Sequence, residues 1–325
     1  MKEIVNNIFS VASTHFNSSA IEIFKHQYLR NVVYKDWVDA LGVNPMAVST
    51  INEIPFLPVS FFKTHKVISG MLPAQQVFTS SGTTQTINSS HFVTDLSLYE
   101  QSFYKGFEAF YGPVSDWCII GLLPAYLERQ GSSLVYMVDH LIKGSNQQES
   151  GFYLYEFKEL ALLIQELEAR KQKTMVIGVT FALLDFAAAF PMPLRYTTIV
   201  ETGGMKGRKR EMIREEVHQV LKSAFGLTAI HSEYGMTELL SQAYSTGNGI
   251  FKTVPWMKVL TRDEDDPLQV QSEGKGLLNI IDLANINSCC FIATDDVAIV
   301  HEDNNFEILG RMDTSDIRGC SLLVI

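Results

Sequence analysis

The chain has 325 residues, 46% of them hydrophobic, enough for one large α/β domain or two small ones around a real core. Its net charge of -10 argues against a generic nucleic-acid or membrane-surface binder, because either needs a concentrated basic face and the nearest candidate, Lys206 to Arg210, is short. No run of about 18 apolar residues is available to span a bilayer, and Asn, Ser and His interrupt the N-terminal stretch where a signal peptide needs apolar residues, so the chain reads as cytoplasmic.

From the N-terminus to about residue 45, apolar positions such as Ile8, Ile21, Phe24, Tyr28, Val32 and Trp37 recur at helical spacing and predict a helical lead-in. Asn44-Pro45 and the Pro55 to Pro58 segment break it. Short apolar runs then alternate with longer helical patterns. Trp117 to Leu123, Thr174 to Val179, Thr197 to Val200 and Leu227 to His231 are predicted strands. Phe157 to Ala169, Phe181 to Phe190 and Lys209 to Ala224 are predicted helices. Such alternation predicts an α/β fold with a mostly parallel sheet flanked by helices, whose ligands bind beyond the carboxyl ends of the strands. After Pro255 the segments Leu277 to Ile281, Cys289 to Ala293, Val297 to Val300 and Phe306 to Leu309 predict a small, mostly antiparallel β-rich subdomain. Cys118, Cys289, Cys290 and Cys320 have neither CxxC spacing nor His partners at zinc spacing, which predicts free thiols.

Three stretches carry candidate chemistry. In the first, Val77-Phe78 runs into Thr79-Ser80-Ser81-Gly82-Thr83-Thr84, a loop rich in N–H and O–H donors of the kind a polyphosphate needs; taken singly it is equally a polar surface turn. The second, His231-Ser232-Glu233-Tyr234-Gly235-Met236-Thr237-Glu238, sets a hydroxyl and a carboxylate beside a glycine after an apolar run. That combination suits Mg²⁺ bridging to phosphate oxygens, while the plainer alternative is a strand-to-helix turn capped by Thr237. In the third, Thr294-Asp295-Asp296 precedes Gly310-Arg311-Met312-Asp313. An aspartate accepting from ribose hydroxyls with an arginine nearby makes a nucleotide clamp, and an Asp pair is also ordinary turn chemistry.

In order and spacing the three together resemble the adenylate-forming superfamily: a phosphate loop, YGxTE, a TGD-type aspartate and GRxD. Leu57-Pro58-Val59-Ser60-Phe61-Phe62-Lys63, Leu123-Pro124-Ala125-Tyr126-Leu127-Glu128-Arg129-Gln130-Gly131, Glu201-Thr202-Gly203-Gly204-Met205-Lys206-Gly207-Arg208 and Ile317-Arg318-Gly319-Cys320-Ser321-Leu322 are similar to the acyl-protein synthetase family, which includes ligases of the long-chain-fatty-acid luciferin-component type. The resemblance covers nearly the whole chain. It implies the large N-terminal domain of an adenylate-forming ligase that uses ATP and Mg²⁺ to activate a fatty acid as an acyl-adenylate and passes the acyl group to a protein cysteine. The expected layout is a lead-in over residues 1–75, a core over 76–309 and a hinge-like tail over 310–325, without the superfamily's C-terminal lid.

The resemblance further implies that Ser80, Ser81, Gly82, Thr83 and Thr84 line the phosphates and that Thr237 and Glu238 hold phosphate and metal. Tyr234 and Gly235 would pack on adenine with Gly203 and Gly204, while Asp296 and Arg311 would hold the ribose. Gln85 and Asp295 depart from the pattern, each standing where the superfamily has glycine. With the lid lysine missing, Lys63 and Arg129 are candidates for its charge, as are Lys206 and Arg208. Cys320, beside Arg318 near the end of the chain, is the implied acyl acceptor, and its alternative is a small residue in a final strand. Transfer to coenzyme A or a carrier protein, and a non-catalytic nucleotide-binding subunit, are the competing readings. A partner protein or fatty-acid reductase is the expected onward acceptor, and homo-oligomer formation stays open. His91, His140 and His231 are not needed as bases, because a carboxylic acid is already ionised at neutral pH.

Overall fold

A computed structural model of the protein describes residues 7–10, 13–80, 87–123, 131–203 and 212–312. The chain divides into two compact units, Met1–Met71 with Pro255–Ile325 and Leu72–Val254. The N-terminal lead-in therefore shares a unit with the C-terminal β-rich section, where the sequence suggests a lead-in joined to the α/β core.

The first stretch contributes helices α1 (Phe16–Arg30) and α2 (Val32–Ala40), strand β1 (Leu57–Pro58) and the short helix α3 (Phe61–Thr64). Asn31 separates α1 from α2 and caps the second, its side chain accepting the Tyr34 N–H at 3.0 Å. The middle stretch begins with β2 (Gln76–Thr79), β3 (Ser90–Val93), α4 (Leu96–Tyr111), β4 (Cys118–Leu122), α5 (Ser133–Ser145) and β5 (Gly151–Phe152). It continues through α6 (Phe157–Ala169), β6 (Thr174–Gly178), α7 (Thr180–Ala189), β7 (Thr197–Glu201), α8 (Arg214–Phe225), β8 (His231–Tyr234), β9 (Ala243–Ser245) and β10 (Ile250–Phe251). The last stretch supplies β11 (Met257–Arg262), β12 (Val270–Gln271), β13 (Gly274–Asp282), β14 (Phe291–Val300) and β15 (Phe306–Arg311).

Residues 72–254 build the expected α/β layer. Its sheet runs β5-β4-β6-β7-β8-β9, parallel from β5 to β8, with β9 antiparallel at the edge. Every residue of β4 and β6 is buried, which is why both read as unbroken apolar runs. Gly121 and Gly178 admit close neighbours at the carboxyl ends of those strands. A Cβ on Gly121 would lie 2.6 Å from the Phe152 ring, and one on Gly178 would lie 2.8 Å from Leu183. Helix α7 is apolar nearly all round, and its Phe186 meets the Phe157 and Phe225 rings. That packing makes it core.

The other unit is the expected antiparallel sheet, with β15, β14, β13, β11 and β12 side by side and β1 parallel to the start of β14. Fully buried Phe291 anchors it, with rings of Tyr34 at 5.9 Å, Phe24 at 6.1 Å and Phe56 at 6.2 Å.

Two boundaries differ from the sequence reading. The segments Cys289 to Ala293 and Val297 to Val300 are one strand, β14, because the residues between them form a bulge rather than a turn. The strand placed at Leu227 to His231 lies at His231–Tyr234, and no helix follows it; residues 235–242 return to β9, so a strand-to-helix turn at Thr237 is overturned.

Candidate functional site

Strands β2 and β3 pair antiparallel from Gln76 opposite Val93 to Thr79 opposite Ser90, so the hydroxyl-rich run connects a hairpin. Ser80 closes its base: the Ser80 N–H donates to the Ser89 carbonyl at 3.0 Å, and Ser80 Oγ accepts the Ser89 N–H at 2.9 Å. The other candidates of the loop, Ser81, Gly82, Thr83 and Thr84, lie outside the described residues. So do Arg129, Gly204, Lys206, Arg208 and Cys320. Gly131, two positions after Arg129 and at φ +89°, accepts the Thr79 N–H at 2.8 Å.

One bond joins this hairpin to the second motif. His91, wholly buried on β3, faces the Thr237 carbonyl with Nδ1 at 2.8 Å across 146 positions of sequence. A carbonyl oxygen only accepts, so Nδ1 carries the proton and donates. The β2–β3 hairpin and the Thr237 backbone therefore belong to one bonded framework. Glu238 is buried at 5% exposure and Thr237 is half-buried. Tyr234 is buried, its hydroxyl 3.6 Å from Met236 Sδ and its ring 5.9 Å from Phe251. Gly235 lies close to the Glu233 carboxylate, whose side chain would have to shift to admit a Cβ there.

The carboxyl ends of β6, β7 and β8 carry a second polar cluster. Glu201, buried at the end of β7, accepts from the Thr180 hydroxyl and from the Gly203 N–H at 2.8 Å. Gly203, at φ +78°, accepts the Thr180 N–H at 3.0 Å. Glu233 on β8 lies opposite Tyr244, and burial first, then the charge of Glu201, raises its pKa to about 8. Burial likewise lowers the pKa of His231, whose Nδ1 is 3.3 Å from the Tyr111 hydroxyl. The sequence reading names Glu233 within the second motif but gives it no role, and the available signal is a Glu directly before Tyr234-Gly235.

The third motif lies in the antiparallel unit. Asn279 opposes Ala293 and Leu277 opposes Val297, so Thr294, Asp295 and Asp296 together face Leu278 and bulge from β14. Asp296 sits directly opposite Arg311 on β15, with the carboxylate 3.8 Å from the guanidinium Nε, and Asp295 lies 3.7 Å from Nη2. The expected pair is thereby brought together by register. Lys63 is exposed on α3, which departs from β14 just after the Val59 N–H donates to the Ala293 carbonyl at 2.9 Å.

Among the described residues, no three His, Cys, Asp or Glu side chains converge to hold a metal ion, and no helix is long and apolar enough to cross a membrane.

The profile of the family described as acyl-protein synthetase, LuxE, matches residues 156–325. A long-chain-fatty-acid–luciferin-component ligase of Vibrio harveyi is 23% identical over 92% of this chain and 84% of its own. Its counterpart of Aliivibrio fischeri is 24% identical over 93% and 85%. Among solved structures, 2-hydroxyisobutyryl-CoA ligase in complex with 2-HIB-AMP and CoA superposes with a TM-score of 0.65 at 11% identity, covering 95% of this chain and 71% of that one. That likeness bears out the α/β fold of an adenylate-forming enzyme.

Proposed function

The chain belongs to the acyl-protein synthetase, LuxE, family, and from that premise we propose that it activates a fatty acid with ATP as an acyl-adenylate and hands the acyl group to a protein thiol. The observation that carries this reading is the buried His91 bond to the Thr237 carbonyl, which fixes the phosphate-loop hairpin to the Thr237-Glu238 motif. Ser80 through Thr84 and Thr237 hold the triphosphate, Asp296 accepts from the ribose hydroxyls, and Arg311 steadies that carboxylate. Gly203, Gly204, Tyr234 and Gly235 flank the adenine. At Gly203 a Cβ would meet nothing within 4 Å, which leaves room for a flat ring.

The fatty-acid carboxylate attacks the α-phosphorus and pyrophosphate leaves with the bonding electrons, so charge moves onto oxygens that only cations and N–H donors can stabilise. Lys63 and Arg129 are the cations assigned to that role. Glu238 suits Mg²⁺ in donor type, a hard carboxylate oxygen next to the Thr237 hydroxyl. With no three-residue cluster among the described residues, such an ion would take most of its oxygens from phosphate and water. The thiolate of Cys320 then attacks the acyl carbonyl, AMP departs, and a thioester remains for a partner acceptor, a reductase in the reading that fits best. A cytoplasmic setting supplies the ATP and the reducing environment that a free thiol requires.

Acid-dependent exchange of labelled pyrophosphate into ATP tests the first half; its absence across a panel of fatty acids defeats adenylation. Intact mass after incubation with fatty acid and ATP tests the second, where an adduct that persists in Cys320→Ala removes the cysteine.

A further inference from the structure

The bulge at Thr294, Asp295 and Asp296 cannot be held by ladder bonds alone, since three residues face the single position Leu278. Two side chains take over. Thr294 Oγ1 donates to the Leu278 carbonyl at 2.9 Å and accepts the Asp296 N–H at 3.1 Å. Arg262, the last residue of β11, reaches past β13 to β14: Nη2 donates to the Thr294 carbonyl at 2.6 Å, and Nη1 donates to Asn279 Oδ1 at 2.9 Å and to the Leu278 carbonyl at 3.2 Å. Asn279, wholly buried on β13, is held in turn by the guanidinium it accepts from. The close approach of β11 that this span needs is secured at Gly276, where a Cβ would stand 2.5 Å from the Arg262 carbonyl. Only a planar fork with several fixed donors can bridge two neighbouring strands in this way, because an ammonium offers a single point.

We infer that Arg262 is a positioning residue for nucleotide binding, which fixes the β14 bulge so that Asp296 presents its carboxylate to the two ribose hydroxyls. This rests on the reading of Asp296 as the ribose-binding carboxylate. Arg262 touches no substrate itself. It works through the Thr294 carbonyl, while Arg311, on the other side of Asp296, is the exposed partner.

The test is pyrophosphate exchange with ATP and with 2′,3′-dideoxy-ATP in the wild type, Arg262→Met and Arg262→Lys, with thermal unfolding as a control for folding. The wild type is expected to favour ATP in kcat/KM by about tenfold or more, the value of one good charge-assisted bond. Arg262→Met is expected to lose most of that preference through a raised KM for ATP, with kcat nearly unchanged, and Arg262→Lys to fall between. A wild type without preference defeats the ribose reading and this inference with it. A preferring wild type alongside a folded Arg262→Met that keeps the preference in full overturns the role of Arg262 alone. Should Arg262→Met fail to fold, Arg262→Lys decides: undiminished preference overturns the inference, and a several-fold loss supports it.

Discussion

The two units present their polar motifs by opposite means. In the antiparallel unit, Asp296 and Arg311 are placed by register and by a bulge braced from Arg262 and Thr294, with the Arg311 side chain 52% exposed and that of Asp296 only 15%. In the α/β unit, Thr237 is held by wholly buried His91 behind its carbonyl, and half-buried Glu233 lies close to Gly235. The first arrangement leaves the guanidinium in water and covers most of the Asp296 carboxylate. The second takes titratable groups out of water, so its geometry is coupled to pH. The Asp296 carboxylate is therefore aimed by the backbone of the bulge beneath it.

That contrast can be broken from either side. Phe291→Ala removes the ring beneath the start of β14, where Tyr34, Phe24 and Phe56 meet, and should destabilise the protein by about 3–5 kcal/mol in chemical unfolding. A much smaller loss would mean that the bulge is held from above only.

Glu233→Gln probes the buried side. An unfolded glutamate loses its proton near 4.5 while the folded one holds it to about 8, so between those values the native state binds the extra proton and wild-type stability falls as pH rises. Unfolding curves from pH 5 to 8 should show the wild type losing roughly 1 kcal/mol per pH unit that the Gln variant keeps. Parallel curves would place Glu233 in contact with solvent.

His91→Ala leaves the Thr237 carbonyl without its donor and should cost about 1–3 kcal/mol, with KM for ATP raised several-fold as the hairpin loosens. Unchanged KM would separate the loop from the motif. The smallest stability effect belongs to Arg311→Ala, below about 1 kcal/mol because the guanidinium is half exposed and its contact with Asp296 is long, even though KM for ATP should rise. Stability and nucleotide affinity would then part company at this position alone among the four.

Much of the fold was legible. Strands β4, β6 and β7 lie where unbroken apolar runs placed them, and α6 was bounded at Phe157 and Ala169 by its periodicity. The errors came where periodicity is silent. Asp295-Asp296 reads as a turn because bulges and turns share their composition, and only the pairing of Asn279 with Ala293 and Leu277 with Val297 tells them apart. The Thr237 segment reads as a helix cap because Thr followed by Glu is capping chemistry, yet the chain returns to β9.

By itself the sequence determined which residue types stand in which order: the hydroxyl loop, YGMTE, the Asp pair and GRMD, with apolar runs between them sufficient for a parallel sheet. Those are local properties, written in side-chain chemistry and in periods of two and 3.6. Only the tertiary structure decided which of them share a framework. His91 meets Thr237 across 146 positions, Arg262 reaches across β13 to Thr294, and Glu233 acquires its raised pKa from burial and the charge of Glu201. Each of these depends on distances through space that loop closure and sheet register set, and no residue's own chemistry carries that information.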